Sequence, residues 1–507
     1  MTGSPWHFDI RPQDTHNQKL MTSVHPSGWR PPAPEPMYNL VVIGAGTAGL
    51  ISAVGCAALG GKVALVERHL MGGDCLNVGC VPSKCLIRSS RAAGEMAAAR
   101  FGLTPHPAAP SDFPAVMERL RRLRAGISQN DSARRYSEMG VHVFFGEAAF
   151  AGRNTVTVGD LRLSFKKAII AVGARAVRPD IPGLDQAGFL TNETVFNLTE
   201  LPRRLVVIGG GPIGCELAQA FRRLGSEVTI VQHTRFLPRE DPEASALLAR
   251  VFAREGIRVV PDARPVCVEK TDSGRLVTVR TGEGEQILEA DEILIGAGRQ
   301  PNLEGLDLEK AGVAYDPRRG IRVDDFLRTT NAAIFAAGDV CMDWKFTHAA
   351  DAAARIAVQN ALFRGRKRLS ALNMPWCTYT NPEIAHVGLY ESEALVRGIA
   401  LDTYKVALDE VDRAIADGET EGFVQVLAKK GTDRIVGATI VAAHAGDLIS
   451  EITVAMAGNL GLKTLADVIH PYPTQAEAVR RVAAAYNRTR LTPRVAALLK
   501  WWLKWQR

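Results

Sequence analysis

Residues 39–49 read NLVVIGAGTAG and residues 62–67 read KVALVE. A hydrophobic strand runs into Gly44, Gly46 and Gly49, a spacing that allows a tight turn, close approach of the backbone to a pyrophosphate, and close helix–strand packing. The helix that follows offers unpaired N–H groups and the positive end of its dipole to phosphate. Glu67 ends the next strand at the distance where an acid accepts hydrogen bonds from a ribose. A lone GxGxxG says little, but strand, turn, helix, strand and acid in register specify a dinucleotide-binding βαβ unit.

The same unit recurs as RLVVIGGGPIG (204–214) followed by EVTIVQ (227–232). Gly209, Gly211 and Gly214 repeat the spacing, while Gln232 stands where the acid belongs and His233 and Arg235 follow it. A carboxylate there repels a 2′-phosphate, whereas a neutral amide with cationic neighbours tolerates one, so the second site is expected to prefer NADPH over NADH. Two such sites imply two dinucleotides. The segment TTNAAIFAAGDV (329–340) resembles the second FAD-contacting motif of flavoprotein reductases and assigns Gly338 and Asp339 to the flavin side. AIIAVGARAVRPDIPG (168–183, with Gly173) and ILIGAGRQPN (293–302, with Gly298) read as strand–turn junctions returning the chain between domains, Gly173 on the FAD side and Gly298 on the NAD(P) side. The alternative, a tandem protein binding two nicotinamides, lacks a place for the 329–340 motif.

At 507 residues the chain is long enough for three or four domains, each with its own core. Charged residues make up 23% and hydrophobic residues 46%, the profile of a soluble globular protein. The formal charge of +7 comes from scattered cations, so the run Arg119, Arg121, Arg122 and Arg124 reads as a solvated helix face, and no nucleic-acid motif accompanies it. The N-terminus lacks a basic-then-apolar leader, which suggests a cytoplasmic protein. Residues 1–36 end in PPAPEP and read as an extended arm. The uncharged stretch Leu40 to Gly61 is long enough to span a bilayer, but its glycines split it into strand, turn and small-residue helix.

Of eight cysteines, Cys56, Cys215, Cys267, Cys341 and Cys377 lie singly in apolar or strand-like contexts and read as core. The exception is MGGDCLNVGCVPSK (71–84). Cys75 and Cys80, with Pro82 just beyond, suit a helix that begins near Cys80, and a helix N-terminus favours thiolate. No His or Cys cluster completes a metal site nearby. Cys85 is open between core residue and spare thiol.

From about Met37 to Thr492 these motifs resemble the class I pyridine nucleotide–disulfide oxidoreductases, which include dihydrolipoyl dehydrogenase, glutathione reductase and mercuric reductase. The resemblance implies an α/β fold: two Rossmann-like domains, for FAD and NAD(P), plus a C-terminal α+β dimerisation domain. It places an FAD domain at 37–187 (with Gly73 in the cradle) and 301–372, an NAD(P) domain at 188–300, an interface domain at 373–490, and a tail at 491–507. It implies FAD and NADPH or NADH as cofactors, a homodimer, and a small electron acceptor. It makes Cys75 the interchange thiol and Cys80 the charge-transfer thiol beside the flavin, with Lys84 near the flavin and paired with Glu216. The family usually has Thr where this chain has Asp74, so altered pyrophosphate contacts are expected.

TYTNPEIAHVGL (378–389) resembles the opening of the family's interface domain, and ADVIHPYPTQAEAVRR (466–481) covers its acid/base site. The thiol–disulfide members have His-x-His-Pro-Thr-x-x-Glu, the second His being the acid/base oriented by the Glu. Here His470 takes the first position, Tyr472 the second, and Glu477 the orienting place. A phenol with a pKa near 10 is a poor base at neutral pH, and losing an acid/base typically costs about 10²–10⁴-fold in rate. Mercuric reductases resemble this chain in having Tyr there, although the CxxC-containing N-terminal domain and the C-terminal vicinal cysteines of that group have no counterpart. The expected function is therefore relay of electrons from NAD(P)H through FAD and the Cys75–Cys80 disulfide to an acceptor, in a mercuric-reductase-like manner. The rivals are a dihydrolipoyl dehydrogenase using His470, a quinone or metal reductase working at the flavin, and a redox-sensing or membrane-tethered module. In the tail, TPRVAALLKWWLKWQR, Val495, Leu498, Leu499 and Trp502 share one helical face. It reads either as docked on the protein's own surface or dimer partner, or as a weak membrane-surface anchor.

Overall fold

The computed structural model describes residues 8–97 and 112–507, which divide into two compact units: residues up to 234 together with 260–372, and 235–259 together with 373–507.

The first unit is built on a parallel sheet. Strands β1 (Tyr38–Ile43), β2 (Val63–Glu67), β3 (Val141–Phe145) and β4 (Leu161–Ile170) run in the order β3-β2-β1-β4. Val42 pairs with Leu65 on one side and Ile169 on the other. Strand β1 is buried at five of six positions, as expected of a strand covered on both faces. Helix α2 (Thr47–Ala57) follows the glycine turn. Gly44 has φ +98°, and a Cβ on Gly49 would lie 1.8 Å from the Gly44 carbonyl oxygen, so only glycine lets α2 start this close to β1.

A second parallel sheet holds β5 (Arg204–Ile208), β6 (Glu227–Val231) and β7 (Glu292–Ile295), with β5 in the middle. Helix α6 (Pro212–Leu224) starts with proline in its first turn and stops at Gly225, the usual start and stop chemistry of a helix. Strand β8 (Ile334–Ala336) returns to pair with β4 and leads into helix α7 (Thr347–Phe363), which packs on α2. The stretch Leu40–Gly61 is strand, turn and helix, and among the described residues no helix is long and apolar enough to cross a membrane.

Two expectations fail here. The arm is not simply extended. Asp14 caps helix α1 (Thr15–Val24), and Asn17, Leu20 and Val24, spaced for one helix face, are buried. They pack on α5 (Phe113–Ile127). The arginine run on α5 is not a solvated face either: Arg124 is fully buried and Arg121 nearly so, because Arg121 Nε meets Asp14 Oδ2 at 2.5 Å and Arg124 Nη2 donates to Asn17 Oδ1 at 2.8 Å.

The second unit has a five-stranded antiparallel sheet of β9 (Pro375–Thr378), β10 (Glu383–Gly388), β11 (Leu401–Ala407), β12 (Phe423–Lys429) and β13 (Ile435–Ala442), ordered β9-β10-β13-β12-β11. Helices α8 (Ala445–Ala457) and α9 (Glu477–Thr489) cover it and share its apolar core. Helix α10 (Pro493–Trp505) closes the chain with no buried residue. Of the two surfaces on which the tail was expected to dock, its own chain and the dimer partner, the helix is thus not packed on its own chain.

Candidate functional site

The site begins with a short helix, α3 (Gly73–Asn77), and the helix α4 (Cys80–Ala97) that starts three residues after it. Cys75 lies in the first and Cys80 opens the second. The connection is clamped. Asn77 is buried and its Nδ2 donates to the carbonyls of Met71 (3.0 Å) and Gly73 (2.8 Å). Arg124 Nη1 donates to the Asn77 carbonyl at 2.7 Å, and Asn192 Nδ2 to that of Val78 at 3.2 Å. A Cβ on Gly79 would sit 2.8 Å from the Asp74 carbonyl oxygen, which keeps this position to glycine.

The two cysteines are not joined by a disulfide in this structure, and a hydrogen bond between their sulfurs dominates the titration of each. That hydrogen bond from Cys75 is the largest influence bringing the Cys80 thiol down to about 6. The Thr347 hydroxyl at 3.3 Å and the Lys84 ammonium act in the same direction. Cys80 is also the first residue of α4, where the helix dipole favours negative charge. The shared proton and burial push Cys75 the opposite way, well above the ordinary thiol value. Cys80 is exposed and Cys75 half-buried.

Lys84, one turn beyond Cys80 on α4, pairs with Glu216 at 2.8 Å because α4 packs against α6. Glu216 is buried while the Lys84 side chain stays partly exposed, so the carboxylate is out of water and the ammonium is not.

Around Gly44, Gly46 and Gly49, Glu67 is buried. Its Oε2 accepts the Ala45 N–H at 2.7 Å and its Oε1 the His69 N–H at 2.8 Å, while burial pushes its carboxyl pKa up. Gly73 crosses the same loop: a Cβ there would lie 2.7 Å from the Gly46 Cα. Gly338, also at positive φ, sets its Cα side against Ala48 of α2, and burial raises the carboxyl of the adjacent Asp339. Gly173 accepts the Asn302 N–H through its carbonyl at 3.1 Å. Arg299 lies between Asp74 and Asp339. It bonds Asp74, and its Nε is 3.3 Å from Asp339 Oδ2 yet is a buried donor with no hydrogen bond. A glycine cradle at a helix N-terminus, a buried acid at the strand end and an orphaned guanidinium N–H fit the diphosphate and sugar of FAD.

At the second glycine loop, a Cβ on Gly214 would lie 2.0 Å from the Gly209 carbonyl oxygen, while Gly211 caps α6. Gln232 is buried, its Oε1 accepting the Gly210 N–H at 2.7 Å and its Nε2 donating to Thr234 Oγ1 at 2.8 Å. His233 is exposed. Gly298, at φ +116°, follows β7 and accepts the Val177 N–H. Arg235 belongs to the other unit, where its Nη2 donates to the carbonyls of Pro238 and Glu240.

In the second unit, Tyr472 donates its hydroxyl to Asp412 Oδ2 at 2.8 Å, and this bond raises the phenol's pKa. Glu477 does not orient Tyr472 in this arrangement. Its Oε1 accepts from Arg480 and Arg481, both at 3.1 Å, because the two arginines follow it by three and four residues on α9. The second ring, His470, has its Nε2 2.8 Å from Glu451 Oε1 and its Nδ1 3.1 Å from the Val468 carbonyl oxygen. Among the described residues, no group of three or more His, Cys, Asp and Glu is placed to hold a metal ion.

Sequence reading missed Thr347, Asn192, Arg124 and Arg299. Thr347 and Asn192 lie 267 and 114 residues from the atoms they bond, and neither sits in a motif. Arg299 stood within a quoted junction, where a cation between two flavin-side segments was the available signal. Cys85, half-buried, has its thiol pushed up by burial.

Comparison with known proteins gives a consistent result. The family described as pyridine nucleotide-disulphide oxidoreductase matches residues 38–354, and its dimerisation domain matches residues 374–483. The mercuric reductase of Streptomyces lividans is 36% identical over 456 residues, covering 89% of this chain and 96% of that protein. The mercuric reductase of Bacillus cereus is 35% identical over 89% of this chain and 72% of its own length. Among solved structures, the HOCl-induced flavoprotein disulfide reductase RclA from Escherichia coli superposes with a TM-score of 0.79 at 28% identity, covering 88% of this chain and 99% of that one.

Proposed function

The chain belongs to the pyridine nucleotide-disulphide oxidoreductase family, an FAD- and NAD(P)H-dependent homodimeric enzyme, and from that premise we propose that its acceptor is a soft metal ion bound by Cys75 and Cys80 rather than an organic disulfide. FAD, held by the Gly44–Gly49 cradle with Glu67 and Arg299, would supply two-electron transfer from NAD(P)H. The chain's residues supply the rest. Lys84, fixed by Glu216, and Thr347 hold negative charge on Cys80. Cys75 keeps its proton until an acceptor displaces it.

The observation that carries this reading is the Tyr472–Asp412 hydrogen bond. Attack on a disulfide needs the interchange thiol deprotonated and the leaving thiol protonated, hence a group titrating near neutrality. Tyr472 is pushed away from that range, and both ring nitrogens of His470 are engaged. A soft metal ion needs no such base, because its affinity for thiolate drives off the proton. Similarity to mercuric reductases, and to RclA, which has been solved as a Cu(II) complex, supports the choice. In the dimer we assign Tyr472 to the cleft facing the partner's cysteines.

We assign NADPH as the preferred donor, from the neutral Gln232 with exposed His233 beside it. Arg235, the cation of that stretch, has its Nη2 on the carbonyls of Pro238 and Glu240. An acceptor screen tests the whole reading: NADPH consumption by the holoenzyme with Hg(II), Cu(II), glutathione disulfide and lipoamide. Turnover on the metals and near-background rates on both disulfides are expected. A lipoamide rate equal to the metal rates at neutral pH overturns it.

A further inference from the structure

Helix α10 presents Leu498, Leu499, Trp501, Trp502, Leu503 and Trp505 at 46–70% exposure, a large apolar surface for a protein to leave uncovered. At about 100° per residue these side chains form one broad face, and Lys500, Lys504 and Arg507 lie on the other. The helix is already formed: Thr492 caps it, accepting the Val495 N–H at 3.3 Å, and Pro493 opens its first turn. Ordering it on contact therefore costs little.

The charge around it is one-sided. From Ala478 to the end the chain has eight Arg and Lys and no Asp or Glu. The rest of the chain is close to neutral, and the last 30 residues account for the overall positive charge. Arg480 and Arg481 are tied to Glu477, whereas Arg488, Arg490, Arg494 and the three cations of the helix end have no acid near them in sequence.

We propose that α10 is an interfacial anchor that binds the enzyme to an anionic lipid bilayer, lying in the headgroup plane. Indole rings prefer that depth, and flanking lysines and arginines meet lipid phosphate and carboxylate. Thirteen residues make about 20 Å of helix, short of the roughly 30 Å hydrocarbon core, so the helix lies on the surface and does not span. A second copy is the poorer occupant: a two-fold contact through this face sets the same basic segment against itself.

The test is co-sedimentation of the full-length holoenzyme with vesicles of phosphatidylcholine, with and without about a third phosphatidylserine. Binding to the anionic vesicles at least about tenfold stronger than to the neutral ones, weakened by salt, is expected. Leu498→Glu/Trp502→Glu should abolish it, and Lys500→Glu/Lys504→Glu should remove the preference for anionic lipid, both with unchanged NADPH-dependent turnover and dimer mass. Equal pelleting with and without vesicles overturns the proposal. So does loss of the dimer in the Leu498→Glu/Trp502→Glu protein, which would give this face to a second copy.

Discussion

Gln232 accepts the backbone N–H of Gly210 through its side-chain oxygen at 2.7 Å, in the position and at the distance where Glu67 accepts that of Ala45 in the first glycine loop. The two loops thus share a design, differing by one charge. Gln232→Glu keeps the acceptor and restores that charge, so it should repel a 2′-phosphate. The ratio of kcat/KM for NADPH to that for NADH is expected to fall by about 10–100-fold, the effect of one charged hydrogen-bonding group. An unchanged ratio would show that coenzyme choice is made elsewhere.

The depressed Cys80 thiol gives a pH signature. A group whose acidic pKa is lowered on folding is charged above the folded value and loses both charge and its contribution to stability as pH falls through it. The ultraviolet thiolate absorbance of reduced protein, minus that of Cys80→Ser, should therefore vanish as pH drops through about 6, not near 9. Thr347→Val removes one hydroxyl donor and Lys84→Gln one cation, so each should move the inflection up, by about a unit. If the inflection stays at the ordinary thiol value in the wild type, the hydrogen bond from Cys75 is not stabilising a thiolate.

Tyr472 bound to Asp412 is not a base, so Tyr472→Phe should leave the low disulfide turnover where it is. Tyr472→His installs a group titrating near 6.5 and should raise glutathione disulfide or lipoamide turnover by about 10-fold or more. The gain is expected to fall short of the full effect of an acid/base, because Glu477 is held by Arg480 and Arg481. A steep loss of disulfide turnover in Tyr472→Phe would mean that the phenol itself transfers the proton.

What the sequence disclosed follows from where the constraints act. Gly44, Gly49, Gly209 and Gly214 are read at once because steric exclusion acts over five residues of chain. Lys84 and Glu216 are legible only through resemblance, since their contact depends on α4 packing against α6. Arg121 and Arg124 were misread because an arginine pattern on a helix does not disclose the neighbour that covers it. That neighbour is α1, about a hundred residues earlier and hidden behind a proline-rich stretch. Glu477 is legible only as a motif position: Arg480 and Arg481 on the same helix bond its Oε1, while its buried Oε2 has no hydrogen-bond partner in the single chain.

The covering of Arg124 leads to a last expectation. This guanidinium is fully buried and burial brings it down to about 10, so it is still charged at neutral pH. It has no carboxylate hydrogen-bonded to it. Its hydrogen bonds go to the neutral oxygens of Asn17 on the arm and Asn77 between the two cysteines. Asn17→Ala leaves Nη2 without its acceptor, a loss of about 1–3 kcal/mol, and should lower the holoenzyme's Tm by several degrees. Asn17→Asp keeps an acceptor and adds a countercharge, so it should hold or raise the Tm. Because the same guanidinium fixes the Asn77 carbonyl, Asn17→Ala should also broaden or shift the Cys80 inflection, which a defect confined to the arm would leave alone. Wild-type Tm and inflection in Asn17→Ala would mean that the arm does not support the redox loop.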